Sequence, residues 1–262
     1  MRIWWQSSTS IHTKELTDYR EALTKHLHSV KRGDTEISIH GVEKGSLDLH
    51  FNSTVALNSF APGGVLDKLI QADREGYDGA AIGCFLDPAL REARELTDIP
   101  IFGLAETSVH MASMLGDRFS GIAFSDKQAQ YYDAVVRKYG LESRAVPFVS
   151  LGIDLEQVQK GFSNPTEIMD LFRKSIKKLS ASGAEVVLPA CGCVNTIVVS
   201  EKITEMEGML ILDINALLLK ITEAMAEFYK LTGVSRSRKL LYQKPTSENI
   251  KKIPQIYNLM DS

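Results

Sequence analysis

Residues 76–84 read GYDGAAIGC, and residues 183–191 read GAEVVLPAC. Both stretches run glycine, acid, a short apolar run, cysteine. Gly76 and Gly183, Asp78 and Glu185, and Cys84 and Cys191 each stand 107 residues apart, and so do Glu106 and Asp213 further on. A short unbroken apolar run bounded by glycine suits a strand buried on both faces of a parallel sheet. Matching residues in matching slots imply two similar halves, each presenting a cysteine at the carboxyl end of a parallel strand. At that edge open α/β sheets bind their ligands. The register pairs Cys84 with Cys191 and leaves Cys193 outside it.

Outward from these two strands, apolar runs and helical periodicities alternate. Ile3-Trp4-Trp5 forms a short strand that ends in the polar cluster QSSTS. Leu16, Tyr19, Leu23 and Leu27 mark a helix over 14–29, and 36–42 alternates as a strand. A helix over 67–75 stops at Gly76. After Cys84, Asp87 reads as the N-cap and Pro88 as the first turn of the next helix. A strand at 99–104 and a helix at 106–116 close this series. The second series has a strand at 119–125, helices at 126–139 and 166–181, and a strand at 146–151. Then come the strand leading to Cys191, a loop and helix after it, and a strand near 209–214. A long apolar-faced helix over 214–231 and a polar tail carrying Pro245 and Pro254 finish the chain. This alternation predicts an α/β fold of two similar half-domains, each a parallel sheet covered by helices, with the site in the cleft between them. The expected division is 1–115 for the first half-domain, completed by 214–262, and 116–213 for the second.

The bulk composition excludes several function classes. In 262 residues and 29.1 kDa, 44% are apolar and 24% charged, and the net charge is −3 with both signs interspersed. Neither a basic nucleic-acid groove nor a polybasic membrane face is expected. Apolar runs such as 216–219 fall short of a membrane span. The N-terminus lacks the basic-then-apolar pattern of a secretory signal, so a cytoplasmic protein is expected. Three cysteines cannot all pair within one chain, and a reducing compartment keeps them as thiols. No G-x-G-x-x-G follows a strand, which argues against a dinucleotide cofactor. The C-x-C of Cys191 and Cys193 lacks the further ligands of a zinc site, and His26 and His28 lie on opposite sides of one helix. The expectation is no metal and no cofactor, a small-molecule substrate, no nucleic-acid or membrane partner, and a homo-oligomer.

Two cysteines at two facing strand ends can do proton chemistry. A thiolate is a competent base near neutral pH, and a helix N-terminus lowers a thiol pKa. A substrate carbon held between two sulfurs can lose a proton to one and regain it from the other, which inverts a stereocentre. One sulfur must then be thiolate while the other is thiol. Backbone N–H groups after each strand and the hydroxyls of the QSSTS loop and Ser125 can hold the polar end of the substrate. Trp4 or Trp5 can line one side, and His110 is a further group near the cleft. Glu106 and Asp213 read equally well as helix caps.

These segments resemble the aspartate/glutamate/hydantoin racemase superfamily, most of all its hydantoin racemase branch. RIWWQSSTS (2–10) stands where that family has a strand running into an N-P-N-T-S-like loop. IGCFLDPALREARELTDIPIFGLAETSVHMASMLGDRFS (82–120) is similar almost residue by residue to its first catalytic segment. EVVLPACGCVN (185–195) is similar to the segment with the pattern L-G-C-A-G-M, and LDINALLLKITEAMAEFYKLTGVSRS (212–237) to the closing helix. The resemblance implies that Cys84 and Cys191 are the catalytic acid/bases of a cofactor-independent racemase acting on a hydantoin-like or amino-acid-like substrate. It also implies that the closing helix packs on the first half. Gln6, Ser7, Ser8, Thr9, Phe85, Ser125, Gly192 and Cys193 are the expected substrate-binding positions. Gln6, Ser7 and Ser8 replace the family's Asn-Pro-Asn, Pro189-Ala190 precede the second cysteine, and Cys193 stands where glycine is usual. The alternatives within the superfamily are a one-cysteine decarboxylase, a cis–trans isomerase, or a member that binds a ligand without turnover.

Overall fold

The computed structural model describes residues 1–43 and 54–256, and its two sheets follow the two halves of the sequence repeat. The first is a four-stranded parallel sheet in the order β2 (Glu36–His40), β1 (Arg2–Gln6), β3 (Gly79–Ile82), β4 (Ile101–Gly103). The second has five strands in the order β6 (Val149–Ser150), β5 (Phe119–Ala123), β7 (Val186–Pro189), β9 (Met209–Ile211), β8 (Glu205–Met206). All of its pairs are parallel except the β8–β9 hairpin. Every residue of β3, β5 and β7 is buried, as their unbroken small and apolar composition demands of strands covered on both faces.

The repeated residues do repeated work. Gly76 and Gly183 end their helices with φ of 70° and 79°, the left-handed conformation that a glycine adopts without steric cost. The acid two residues on then ties down the start of a neighbouring strand. Asp78 Oδ2 accepts the Arg2 N–H at 2.7 Å, and Glu185 Oε2 accepts the Asp117 N–H at 2.6 Å. Strand register then sets the site edge. Gln6 pairs with Ile82 and Ile82 with Gly103, so the chain leaves β1, β3 and β4 at one level. In the second sheet Ile122 pairs with Pro189, which brings the chain after β5 and β7 out together.

The helix Ile214–Thr232 starts from the second sheet and packs on β3, β4 and the helix Leu104–Leu115 of the first. Leu218, Leu219, Thr222 and Ala226 are its buried stripe. The tail beyond it is strapped to the same half. Arg236 Nη1 donates to the carbonyls of Arg94 (2.8 Å) and Thr97 (3.1 Å), and Arg238 Nη2 reaches Asp98 Oδ1 at 2.8 Å.

Several local expectations are revised. The helix after Cys84 starts at Leu90, with Asp87 and Ala89 in left-handed conformations (φ 46° and 58°), so Asp87 does not cap it. The helix expected over 67–75 is the end of a longer one, Thr54–Arg74. The segment 146–151 is mostly extended loop, with only Val149–Ser150 in the sheet. Helix Leu155–Ser163 carries a capping box, Asp154 with Gln157, which the sequence spells as D-x-x-Q. The tail contains the helix Ser247–Ile256. Among the described residues no helix is long and apolar enough to cross a membrane.

Candidate active site

Between the two carboxyl edges lies a pocket whose wall includes all three cysteines of the chain. The first half contributes Ser7, Ser8 and Thr9 from the loop after β1, Gly83, Cys84 and Phe85 after β3, and Tyr19 from the helix Thr17–Val30. The second contributes Phe124 after β5, Gln128 and Tyr132 from the helix Asp126–Lys138, and Cys191, Gly192 and Cys193 after β7. The two cysteine loops meet at a glycine. A Cβ on Gly192 would sit 3.0 Å from the Tyr19 hydroxyl and 3.4 Å from the Gly83 carbonyl oxygen, so a side chain there would press on the opposite half.

The backbone treats the two register-matched sulfurs alike at first. The N–H two residues after each cysteine, that of Leu86 or of Cys193, is hydrogen-bonded to its sulfur. Beyond that they diverge. Cys191 is the N-cap of the helix Gly192–Ser200, which begins at once, and the Val194 N–H adds a second donor to the sulfur. The Cys193 thiol also bonds to the Cys191 sulfur, and this contact leads in lowering the Cys191 pKa below that of an ordinary thiol, against the effect of burial. Such donors favour the thiolate, as helix N-termini do for cysteines generally. Cys84 is buried and has no helix starting behind it. Burial pushes its thiol up to about 12, although the Ser8 hydroxyl and the Leu86 N–H pull the other way. Cys193 is pushed upward by its bond to Cys191 and by burial, so it stays protonated.

A buried polar network lies behind Cys84. Asp87 Oδ1 accepts the Ala105 N–H at 2.9 Å, and Oδ2 accepts the Glu106 N–H at 2.8 Å and the Tyr139 hydroxyl at 2.5 Å. Asp87 thus caps the helix Leu104–Leu115 from across the fold. Burial raises its carboxyl to about 6 against those three donors. Glu106 is held by Arg94 in a two-pronged pair of 2.8 and 2.5 Å. In the second half Asn195 takes the corresponding place. Its Oδ1 accepts the Ile214 N–H at 3.1 Å, and its Nδ2 donates to Asp213 Oδ1 at 2.9 Å. Asp213 is the N-cap of its own helix through the Ala216 N–H, and His26 Nε2 lies 2.8 Å from its other oxygen.

Of the residues expected to bind substrate, Ser7, Ser8, Thr9, Phe85, Gly192 and Cys193 stand at the pocket wall, and Gln6 and Ser125 do not. Gln6 is fully buried, accepting the Trp4 indole N–H at 2.8 Å and donating to the Ser7 carbonyl at 2.7 Å. Ser125 caps its own helix by accepting the Gln128 N–H at 3.3 Å. Trp4 and Trp5 are both fully buried and are not among the residues lining this pocket, and exposed His110 is turned onto the Glu106 carbonyl at 2.7 Å. The sequence reading missed Tyr19, Phe124, Gln128 and Tyr132. All four occupy positions that helical or strand periodicity assigns to the core. Among the described residues no three His, Cys, Asp or Glu side chains converge in a way that could hold a metal ion.

Residues 19–222 match the family described as Asp/Glu/Hydantoin racemase. The hydantoin racemase of Pseudomonas sp. (strain NS671) is 26% identical over 225 residues, covering 83% of this chain and 86% of that protein. The allantoin racemase from Klebsiella pneumoniae has the same fold, with a TM-score of 0.78 at 21% identity over 94% of each chain. A mutant of arylmalonate decarboxylase in its liganded form shares it with a TM-score of 0.64 at 16% identity, over 86% of this chain and 92% of that one. The matched span holds both cysteine segments and runs into the closing helix, and by it the chain belongs to the Asp/Glu/hydantoin racemase family.

Proposed function

We propose that this protein is a cofactor-independent racemase that inverts the ring stereocentre of a hydantoin-type cyclic ureide, with Cys84 and Cys191 as its acid and base. The observation that carries the reading is the placement of two register-matched cysteines, one from each half, on the wall of one pocket. Cys191, lowered by its donors, is the base of the pair, and Cys84, raised by burial, is the acid. Cys191 removes the proton from the carbon beside the ring carbonyl and becomes a thiol. The electron pair delocalises into that carbonyl as an enolate. Cys84 delivers its proton to the opposite face and becomes the thiolate. The reverse reaction runs through the same steps, and a matched pair of acid and base is what such a transfer needs.

The wall also favours a substrate class. Among the described residues its side chains are hydroxyls (Ser7, Ser8, Thr9, Tyr19), one amide (Gln128), thiols and aromatic rings, without Arg, Lys, His, Asp or Glu. A free amino acid brings a carboxylate and an ammonium for which the described wall offers no opposite charge, and buried charge without a counter-charge is costly. A neutral ring with N–H donors and carbonyl acceptors is matched by hydroxyls, an amide and backbone groups.

The test is incubation with one enantiomer of a 5-substituted hydantoin, or of allantoin, in D₂O. The expected result is loss of optical activity together with entry of one deuterium at the stereocentre, the ring staying intact. A full panel of hydantoins showing neither racemisation nor exchange would sink the reading. Release of CO₂ from an arylmalonate, with hydantoins left untouched, would replace it by the decarboxylase alternative.

A further inference from the structure

The third cysteine stands outside the sequence repeat. Its counterpart in the first half is Leu86, which offers Cys84 a backbone N–H and nothing more. Cys193 offers Cys191 the same N–H and a side-chain S–H besides. It lies in the first turn of the helix that Cys191 caps and is buried at the pocket wall. On its other side the Tyr19 hydroxyl, from the helix Thr17–Val30, is hydrogen-bonded to the Cys193 sulfur. Tyr19 is itself buried and pushed well above its ordinary pKa, mainly by burial and then by the neighbouring sulfurs, so it stays a donor. Tyr19, Cys193 and Cys191 thus neighbour one another on one wall of the pocket, with Tyr19 as the donor toward Cys193 and Cys193 as the donor toward Cys191.

We propose that Cys193 is a positioning residue whose thiol, oriented by Tyr19, donates its hydrogen to Cys191 Sγ and holds that sulfur as the resting base. The inference rests on the two-thiol reading above. A sulfur that receives one more donor than its partner is the better thiolate, so Cys193 sets which of two otherwise matched cysteines starts as base. Other titratable groups on the wall around Cys191 are Cys84 and Tyr132. The Tyr132 proton goes to Gln128 Oε1 at 3.0 Å, which leaves that hydroxyl committed elsewhere. On the helix side, Asn195 stands between this turn and the Asp213–His26 pair.

The experiment reads Cys191 directly and needs no substrate. The rate of alkylation of Cys191 by iodoacetamide is followed against pH, with fragment-ion mass spectrometry to separate the cysteines. Cys193→Ala should move the midpoint upward by about one pH unit, the scale of a lost hydrogen bond to a charged group. Cys193→Ser keeps a donor and should return the midpoint to within about half a unit of the original. Tyr19→Phe leaves Cys193 in place and unoriented, and should give a smaller upward shift. A midpoint unmoved by Cys193→Ala, or moved equally by alanine and serine, would overturn the proposal, since a merely space-filling thiol behaves that way. Should Cys193→Ala fail to fold, Tyr19→Phe decides: an unshifted midpoint there overturns it. Because no turnover is measured, the positioning role can fail while racemisation is found, and can stand where racemisation is absent.

Discussion

The two halves share a frame and differ in chemistry. Each has a glycine in the left-handed conformation, an acid that ties a neighbouring strand, a buried strand, a cysteine, and an N–H two residues on that meets its sulfur. After that point the first half inserts a left-handed turn at Asp87 and Ala89 before its helix, whereas the second enters its helix at once. That single difference gives Cys191 a helix N-terminus and a neighbouring thiol, and gives Cys84 a buried carboxylate. A near-symmetric frame can thus hold an asymmetric acid–base pair, as a proton transfer with one thiolate and one thiol requires.

The hardest test of this comparison is to remove each thiol. Cys84→Ser and Cys191→Ser should each lower racemisation by about a thousandfold or more, because an alcohol is a far weaker acid than a thiol. Each variant keeps one competent sulfur, so each should still exchange the ring proton of one enantiomer, and the two should choose opposite enantiomers. Deuterium incorporation followed separately on each enantiomer reads this. If both variants exchange the same enantiomer, the sulfurs do not flank the carbon.

A second test asks whether the asymmetry exists without substrate. With Cys84 pushed up to about 12 and Cys191 held below the ordinary thiol value, Cys191 carries far more thiolate at pH 8. A less basic thiolate is also less nucleophilic, which gives back part of the advantage. Alkylation at Cys191 should still outrun Cys84 by about 30-fold, and partial exposure of Cys191 against burial of Cys84 adds in the same direction. Equal rates would break the comparison.

The repeat made the fold legible because a buried strand between glycine and cysteine has few other readings. The site was legible only where chemistry and register coincide. Cys84 and Cys191 stand out in sequence. Tyr19 does not, because its helical spacing with Leu23 and Leu27 marks it as core, and it is both core and pocket wall. Gln6 misled for a geometric reason: as the last residue of β1 it shares a sheet face with Trp4 two residues back, and bonds to it. Asp87-Pro88 has the local signature of a helix start, and nothing local reveals that the carboxylate caps a helix 17 residues on.

That distant cap gives a third comparison. Asp87 satisfies two helix N–H groups and a tyrosine hydroxyl, while Asn195 satisfies one N–H in a helix that also has its own cap in Asp213. Asp87→Ala should therefore lower stability by about 2 kcal/mol and Asn195→Ala by about 1 kcal/mol, read by urea unfolding. Asp87 also gives a pH signature. Its carboxyl is raised in the folded state, so its contribution to stability is complete below about pH 4 and is lost as pH rises through about 6. The pH 4 to 6 decline in stability should shrink in Asp87→Ala and persist in Asn195→Ala.

The smallest expected effect concerns a hydroxyl that reaches Cys84. Ser8 stands at the pocket wall, and its hydroxyl bonds to the Cys84 sulfur, which favours the Cys84 thiolate that the proposed transfer would form. In the second half the corresponding support comes from Cys193 and a second backbone N–H, so Ser8 is the weaker side of the pair. A competing structural role for the serine cluster is helix capping. The turn at Lys14–Leu16 has Thr13 at its N-cap and the helix behind it has Leu16, so Ser8 is the N-cap residue of neither. Ser8→Ala should then leave the melting temperature unchanged and lower kcat/KM about two- to tenfold, the yield of one modest hydrogen bond. The fall must be equal in both directions, because the equilibrium constant of a racemisation is one. A lowered melting temperature with unchanged kcat/KM would return Ser8 to a structural role.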